Sequence, residues 1–336
     1  MGQAPPSTAG PHPPPSRLGR WRPGRNRLWR QALLTAATVV ALTAAAHPTI
    51  PAPPPARHAP PTAATLASVY AANRADAAEA AAMAAAHGDA HRAAADRALA
   101  ARELLAFDGR GPGQATEVLG ELRRAGRVAV LVPGSDTSID TYARFHRAAA
   151  ALYDELRRRA PAGTRVAVVA WLGYRTPGTV STTVTTTARA DEAAPRLRAL
   201  TGRLRAIAPA RARISLLCHS YGSVVCGRAA HGLAVGDVVL VGSPGTGAGT
   251  VAGLHTRARV WAARGSRDWV AHVPHVRAGL PGATVGFGAD PVSRAFGARV
   301  FDAADADHSG YFTPGSAALA NLARITLGDP SEVTRA

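Results

Sequence analysis

Lysine is absent from this 336-residue chain: all 39 basic side chains are arginine, set against 22 acidic ones, for a formal net charge of +17. Alanine, arginine, glycine and proline dominate, a bias expected of GC-rich coding rather than of a nucleic-acid surface. Eight arginines (Arg17, Arg20, Arg22, Arg25, Arg27, Arg30, Arg57 and Arg74) precede the first acidic residue, Asp76, so much of the excess charge lies ahead of any catalytic region. No zinc-finger spacing or aromatic-basic platform appears, and no nucleic-acid partner is expected. Cysteine is scarce as well. Cys218 and Cys226 are the only two, too few for a disulfide framework or a structural zinc site. Cys218 should end a buried strand and Cys226 should sit in the helix that follows, so a pair of buried thiols is expected, although an exported protein could bridge them.

Also missing is an apolar run long enough to be an ordinary membrane span. The uncharged stretch from Ala32 to Ala46 follows an arginine-rich, proline-rich start and closes on three alanines before His47 and Pro48. That is the pattern of a basic n-region and a short h-region, and a span needs about 20 apolar residues. Residues 1–47 therefore read as an export signal, with an uncleaved signal-anchor as the alternative, placing the protein outside the cytoplasmic membrane, secreted or anchored on its outer face. Residues 48–61 hold seven prolines and read as an extended, semi-rigid linker.

An apolar fraction of 47% is ample for a globular core. Residues 62–110 are rich in alanine and read as a helical segment, with no chemical role evident. From 111 to 330 the pattern changes to short apolar runs, at 128–132, 165–171, 214–218, 237–241, 259–263 and, more weakly, 298–301, separated by helical stretches. Strands apolar on both faces and alternating with helices predict a mostly parallel sheet covered on both sides, an α/β fold.

The chemistry is concentrated around Cys218-His219-Ser220-Tyr221-Gly222. An apolar strand ends, a serine follows in a tight turn between small residues, and a helix begins. This is the form of a nucleophile elbow, in which strand and helix backbones approach closely and expose the serine hydroxyl. A serine hydroxyl is a poor nucleophile unless a histidine takes its proton and a carboxylate orients that histidine, and in this fold the chain order is serine, acid, histidine. Asp268 lies in the loop after the strand at 259–263 and fits the acid. His308 follows the last strand-like run and fits the base.

The competing groups fit less well. His231, His255, His272 and His275 follow no strand that comes after the acid, and His219 precedes the serine. Asp237 begins a strand, Asp290 lies in an irregular loop, and Asp302, Asp305 and Asp307 form an acidic loop. The oxyanion donors should be the backbone N–H groups of Tyr221 and of Ser135, the latter in the loop after the strand at 128–132. Residues 172–178 and the Thr/Val-rich stretch after them read as a lining of the acyl pocket, as a lid or as a solvated loop.

Several pieces in order resemble a group of actinobacterial α/β-hydrolases catalogued as a domain of unknown function. They are Leu104–Asp108, Val130–Gly134, Trp171–Tyr174, His219–Ser223, Val239–Gly245, Phe296–Ala298 and His308–Phe312. The resemblance implies the α/β-hydrolase fold and a triad of Ser220, Asp268 and His308, and it implies no substrate. Cys218 departs from the glycine usual there. Together these readings lead to the expectation of an exported serine hydrolase acting on a small-molecule or lipid-like acyl substrate, an ester before an amide, without metal or organic cofactor. The rival is a non-catalytic cell-envelope protein using a hydrolase-like fold to bind.

Overall fold

The computed structural model describes residues 1–2 and 51–336, apart from 58, 180–185, 274, 276–277 and 281–282. The apolar run at 32–46, and with it the export reading, lies outside the described residues. No described helix is long and apolar enough to cross a membrane.

Ten strands are present among the described residues: β1 Glu103–Asp108, β2 Gln114–Gly120, β3 Arg127–Val132, β4 Val166–Leu172, β5 Arg213–His219, β6 Asp237–Val241, β7 Arg259–Ala263, β8 Ala278–Leu280, β9 Ala283–Val285 and β10 Arg299–Val300. Eight of them form one sheet in the order β1-β2-β4-β3-β5-β6-β7-β10, and β8 and β9 form a separate hairpin. From β4 onwards the large sheet is parallel, whereas β1 with β2 and β2 with β4 are antiparallel.

The parallel strands β3 to β7 are fully or almost fully buried, as their unbroken apolar runs require. Helices α3 Tyr142–Arg159 and α6 Ala317–Leu327 contribute to the core on one face. On the other, α4 Ala188–Ile207 and α5 Gly222–Ala229 do the same.

The alanine-rich segment forms α1 Leu66–Ala86 and α2 Ala90–Ala100, and then, against expectation, strand β1. Leu104-Leu105-Ala106-Phe107 carries no β-branched residue, and Gln114–Gly120 mixes polar and apolar side chains, so neither strand stands out by propensity. Helix α1 packs beside the edge strand β1, and the Asn73 side-chain amide donates to the Leu104 carbonyl at 3.2 Å. A sheet edge that would otherwise offer unpaired backbone groups is thereby covered. The proline-rich stretch is not a free spacer throughout, since Pro53 and Pro61 are buried and Ala52 packs against the core beside Gly109.

Candidate active site

Strand β5 ends at His219, and Ser220 has φ of +53°, a left-handed conformation that is strained for a side chain larger than glycine. Its N–H donates to the Val241 carbonyl at 3.0 Å, which fastens the turn to the end of β6. Helix α5 begins two residues later, and a Cβ at Gly222 would lie 2.5 Å from the Val132 carbonyl oxygen, so only glycine fits. On the other side of the serine, a Cβ at Gly134 would lie 2.6 Å from the Ser220 Cβ. The backbone after β3 thus runs directly against Ser220.

Cys218 occupies the remaining small position of the elbow, and the expectation of two free thiols is overturned: Cys218 and Cys226 form a disulfide. The strand directs the Cys218 side chain into the core shared with α5, where Cys226 lies one turn into the helix and meets it. The bond closes a loop of 8 residues' separation around Ser220. The Ser223 hydroxyl reinforces the same junction by donating to the Cys218 carbonyl at 3.1 Å.

Ser220, His308 and Asp268 are brought together in the expected arrangement. His308 Nε2 lies 2.9 Å from Ser220 Oγ, and its Nδ1 lies 2.8 Å from Asp268 Oδ1. Asp268 is 2% exposed. Burial alone would raise its pKa, but hydrogen bonds from His308, from the Tyr311 hydroxyl and from the Val270 N–H outweigh burial and hold it below the ordinary carboxylate range. Tyr311 in turn accepts the Gly265 N–H at 3.1 Å, so its hydroxyl is anchored on both sides.

His219 donates from Nε2 to the His308 carbonyl at 2.6 Å, and its ring lies 4.8 Å from the His308 ring. Burial, then the neighbouring His308, pushes its pKa down to about 4, so it stays neutral near pH 7 and keeps the proton on Nε2. The sequence alone assigns neither Tyr311 nor His219 a part in the site. Its one sign of Tyr311 is the place of that residue in the resemblance at 308–312, and His219 is visible there only as the residue before the serine.

The other candidates fall elsewhere. Asp237 sits at the start of β6, fully buried and bonded to Arg213, Arg259, Trp261 and Ser215. Asp290 pairs with Arg264, and His275 bonds the Pro244 carbonyl. Among the described residues, no group of three or more His, Cys, Asp or Glu side chains could hold a metal ion.

Tyr221 N–H heads the turn into α5, and Ser135 lines the same cavity as Ser220. Neither N–H has a hydrogen-bond acceptor among the described residues. The Ser135 loop is braced by the 172–178 segment: the Tyr174 hydroxyl donates to the Pro133 carbonyl at 2.6 Å, and the Asp136 N–H donates to the Pro177 carbonyl at 3.1 Å. That segment therefore packs as a buttress instead of standing free in solvent.

Ser220 opens into a cavity of about 540 Å³. Leu131, Phe145 and Leu217 line it from the core on the α3 face, and Val132, Tyr221 and Phe287 from the core on the α5 face. The cavity accordingly straddles the C-terminal edge of the sheet with the serine between its two sides. Trp269, 50% exposed, lies at its rim with its ring 4.5 Å from that of His308.

A family model described as alpha/beta hydrolase matches residues 108–278, just over half the chain. The chain belongs to the α/β-hydrolase family. The chain is 31% identical over 270 residues to an uncharacterised protein of Mycobacterium tuberculosis, an alignment covering 68% of this chain and 39% of that protein. It is 36% identical over 138 residues to an uncharacterised protein of Mycobacterium bovis, covering 38% of this chain and 51% of the relative. The chain thus spans well under two thirds of the length of these relatives. A solved α/β serine hydrolase without a lid, from Xanthomonas campestris, aligns with TM-score 0.37 and 19% identity over 63% of this chain and 85% of its own.

Proposed function

We propose that this α/β-hydrolase is an exported serine hydrolase that cleaves carboxylic esters, and amides less readily, through an acyl-enzyme. The observation that carries the reading is the chain of hydrogen bonds from Ser220 Oγ through His308 to Asp268, set in a strained elbow at an apolar cavity. In the first half-reaction Ser220 Oγ attacks the ester carbonyl carbon while His308 Nε2 takes its proton. The tetrahedral oxyanion is received by the N–H groups of Tyr221 and Ser135, and His308 returns the proton to the departing alcohol. In the second, water attacks the acyl-serine carbonyl, gives a proton to His308, and Ser220 is regenerated as the carboxylic acid leaves. Asp268 remains ionised throughout and favours the imidazolium.

Export is supported by the basic and apolar pattern of residues 1–47 and by the Cys218–Cys226 disulfide, a bond that persists in oxidising compartments and is rare in the cytosol. The test is labelling with a fluorophosphonate probe. Wild type should label, and Ser220→Ala and His308→Ala should not, with all three equally folded. A folded wild type that fails to label would leave a ligand-binding role on a hydrolase fold as the better reading.

A further inference from the structure

Apart from the terminal Met1, Trp269 is the only exposed large apolar side chain among the described residues. It opens the short helical turn Trp269–His272, which Asp268 caps by accepting the Val270 N–H at 2.9 Å. The acid of the triad thus fixes where the indole stands. Its ring centroid lies 4.5 Å from that of His308, with the two planes tilted by 47° and not stacked flush. Half of the residue, 50%, stays uncovered on the cavity into which Ser220 opens. Packing against His308 therefore uses only part of the ring.

The course of the reaction gives the uncovered part a use. Ser135, Asp136 and Thr137 reach the cavity from the loop after β3, and Arg144 from the first turn of α3, whereas Trp269 and Val270 come from the loop after β7 and His308 from the loop after β10. The carbonyl oxygen of an ester held at Ser220 turns to the N–H groups of Ser135 and Tyr221. The alcohol oxygen must instead lie within hydrogen-bond reach of His308 Nε2, the atom that protonates it as it leaves. Whatever that oxygen carries emerges beside His308. Of the two rings that pack on His308, His219 is tied to the His308 carbonyl and Trp269 is half bare.

We propose that Trp269 selects the leaving group, and that the substrates are esters of alcohols carrying an aromatic ring, which packs on the indole. The proposal rests on the serine-hydrolase reading of Ser220. An aromatic pair is worth about two- to twelvefold beyond the area it buries. Because the alcohol departs in the first half-reaction, the preference belongs to kcat/KM and is absent from hydrolysis of a shared acyl-enzyme.

The experiment compares benzyl acetate with cyclohexylmethyl acetate, alcohols of similar size of which one is aromatic, by the acid released with the full chain. Both pass through the same acetyl-enzyme, so their ratio of kcat/KM reports the first half-reaction alone. For wild type the ratio should favour benzyl by about two- to twelvefold. Trp269→Ala and Trp269→Leu should each bring it to about one, and Trp269→Phe should keep most of it. The leucine variant keeps the test open if the alanine variant fails to fold. A second pair, ethyl phenylacetate and ethyl cyclohexylacetate, moves the aromatic ring to the acid, and its ratio should change less in the same variants. A wild-type benzyl ratio near one, or a ratio unmoved in the folded leucine variant because both acetates lose equally, would overturn the leaving-group role. So would a larger change in the phenylacetate pair, or fluorophosphonate labelling without turnover of benzyl acetate. Each of these outcomes leaves the serine hydrolase intact. No turnover of any ester and no labelling would remove the hydrolase reading, and the role of Trp269 with it.

Discussion

Asp268, in the loop after β7, and Asp96, in helix α2, are buried almost equally, at 2% and 1% exposure. Asp268 accepts hydrogen bonds from His308, Tyr311 and the Val270 N–H, and its pKa is held below the ordinary range. Asp96 Oδ1 has no hydrogen-bond partner among the described residues, and burial, with Asp140 and Asp89 adding to it against Arg92, pushes its pKa up to about 7. Arg92 lies one helical turn before Asp96, but its guanidinium is spent on Asp140 and on the carbonyls of Gly109 and Gly111. Burial by itself therefore does not decide whether a carboxyl group is charged. The donors around it do, and of these two regions only the loop after β7 supplies them.

The largest effect should come from removing the carboxylate that the donors after β7 converge on. In Asp268→Asn the partner of His308 Nδ1 becomes an amide that cannot favour the imidazolium and can hold the wrong tautomer. A loss of about 10³–10⁴ in kcat on an ester is expected of a variant that still folds but melts lower, since the asparagine amide cannot accept all the bonds that His308, Tyr311 and the Val270 N–H give the carboxylate. A loss smaller than tenfold in the folded variant would remove Asp268 from the acid position.

Tyr311→Phe sharpens the contrast from within the same loop. It removes a donor from Asp268 and leaves the buried Gly265 N–H without its acceptor. Urea denaturation at pH 7 should show a loss of about 1–3 kcal/mol. The sign with pH is fixed by the direction of the shift: a depressed carboxyl pKa stabilises the fold above its unfolded value, and that contribution fades as pH falls through the folded one. The penalty of Tyr311→Phe should therefore shrink in acid. A penalty independent of pH would mean that Tyr311 acts through packing and the Gly265 N–H and not through the charge on Asp268.

The difference between these two regions also explains what could be read from the sequence. Ser220, Asp268 and His308 each follow an apolar run, so strand periodicity placed them at one edge of the sheet before any contact was known. Tyr311 and His219 act through groups brought near only by folding: the Asp268 carboxylate, 43 residues before Tyr311, and the His308 carbonyl, 89 residues after His219. The disulfide was missed because it depends on which way two buried side chains point across a strand-helix junction, and residue type at that spacing does not settle this. Strands β1 and β2 were missed because they hold their place by pairing with β4 and by the cover of α1, not by strong β propensity. In the alanine-rich hairpin nothing in the pattern distinguished a buried Asp96 from a solvated one.

Asp96→Asn is the smallest of the expected effects and the most direct test of the orphaned carboxyl. Because the folded pKa of about 7 lies above the unfolded value of 3.8, the native state binds the extra proton between those limits. Stability falls as pH rises across that window, and the full penalty is present above it. Asparagine carries no charge to desolvate, so the variant should match wild type near pH 4 and exceed it at pH 8, by on the order of 1–2 kcal/mol in urea denaturation. Amide exchange confined to Leu66–Ala100 should slow in the variant at pH 8 if the strain is relieved by local opening of the helical hairpin. Equal stability of the two proteins at pH 8 would show that Asp96 finds a partner in solution, and the contrast with Asp268 would then lie in the identity of the donors and not in their number.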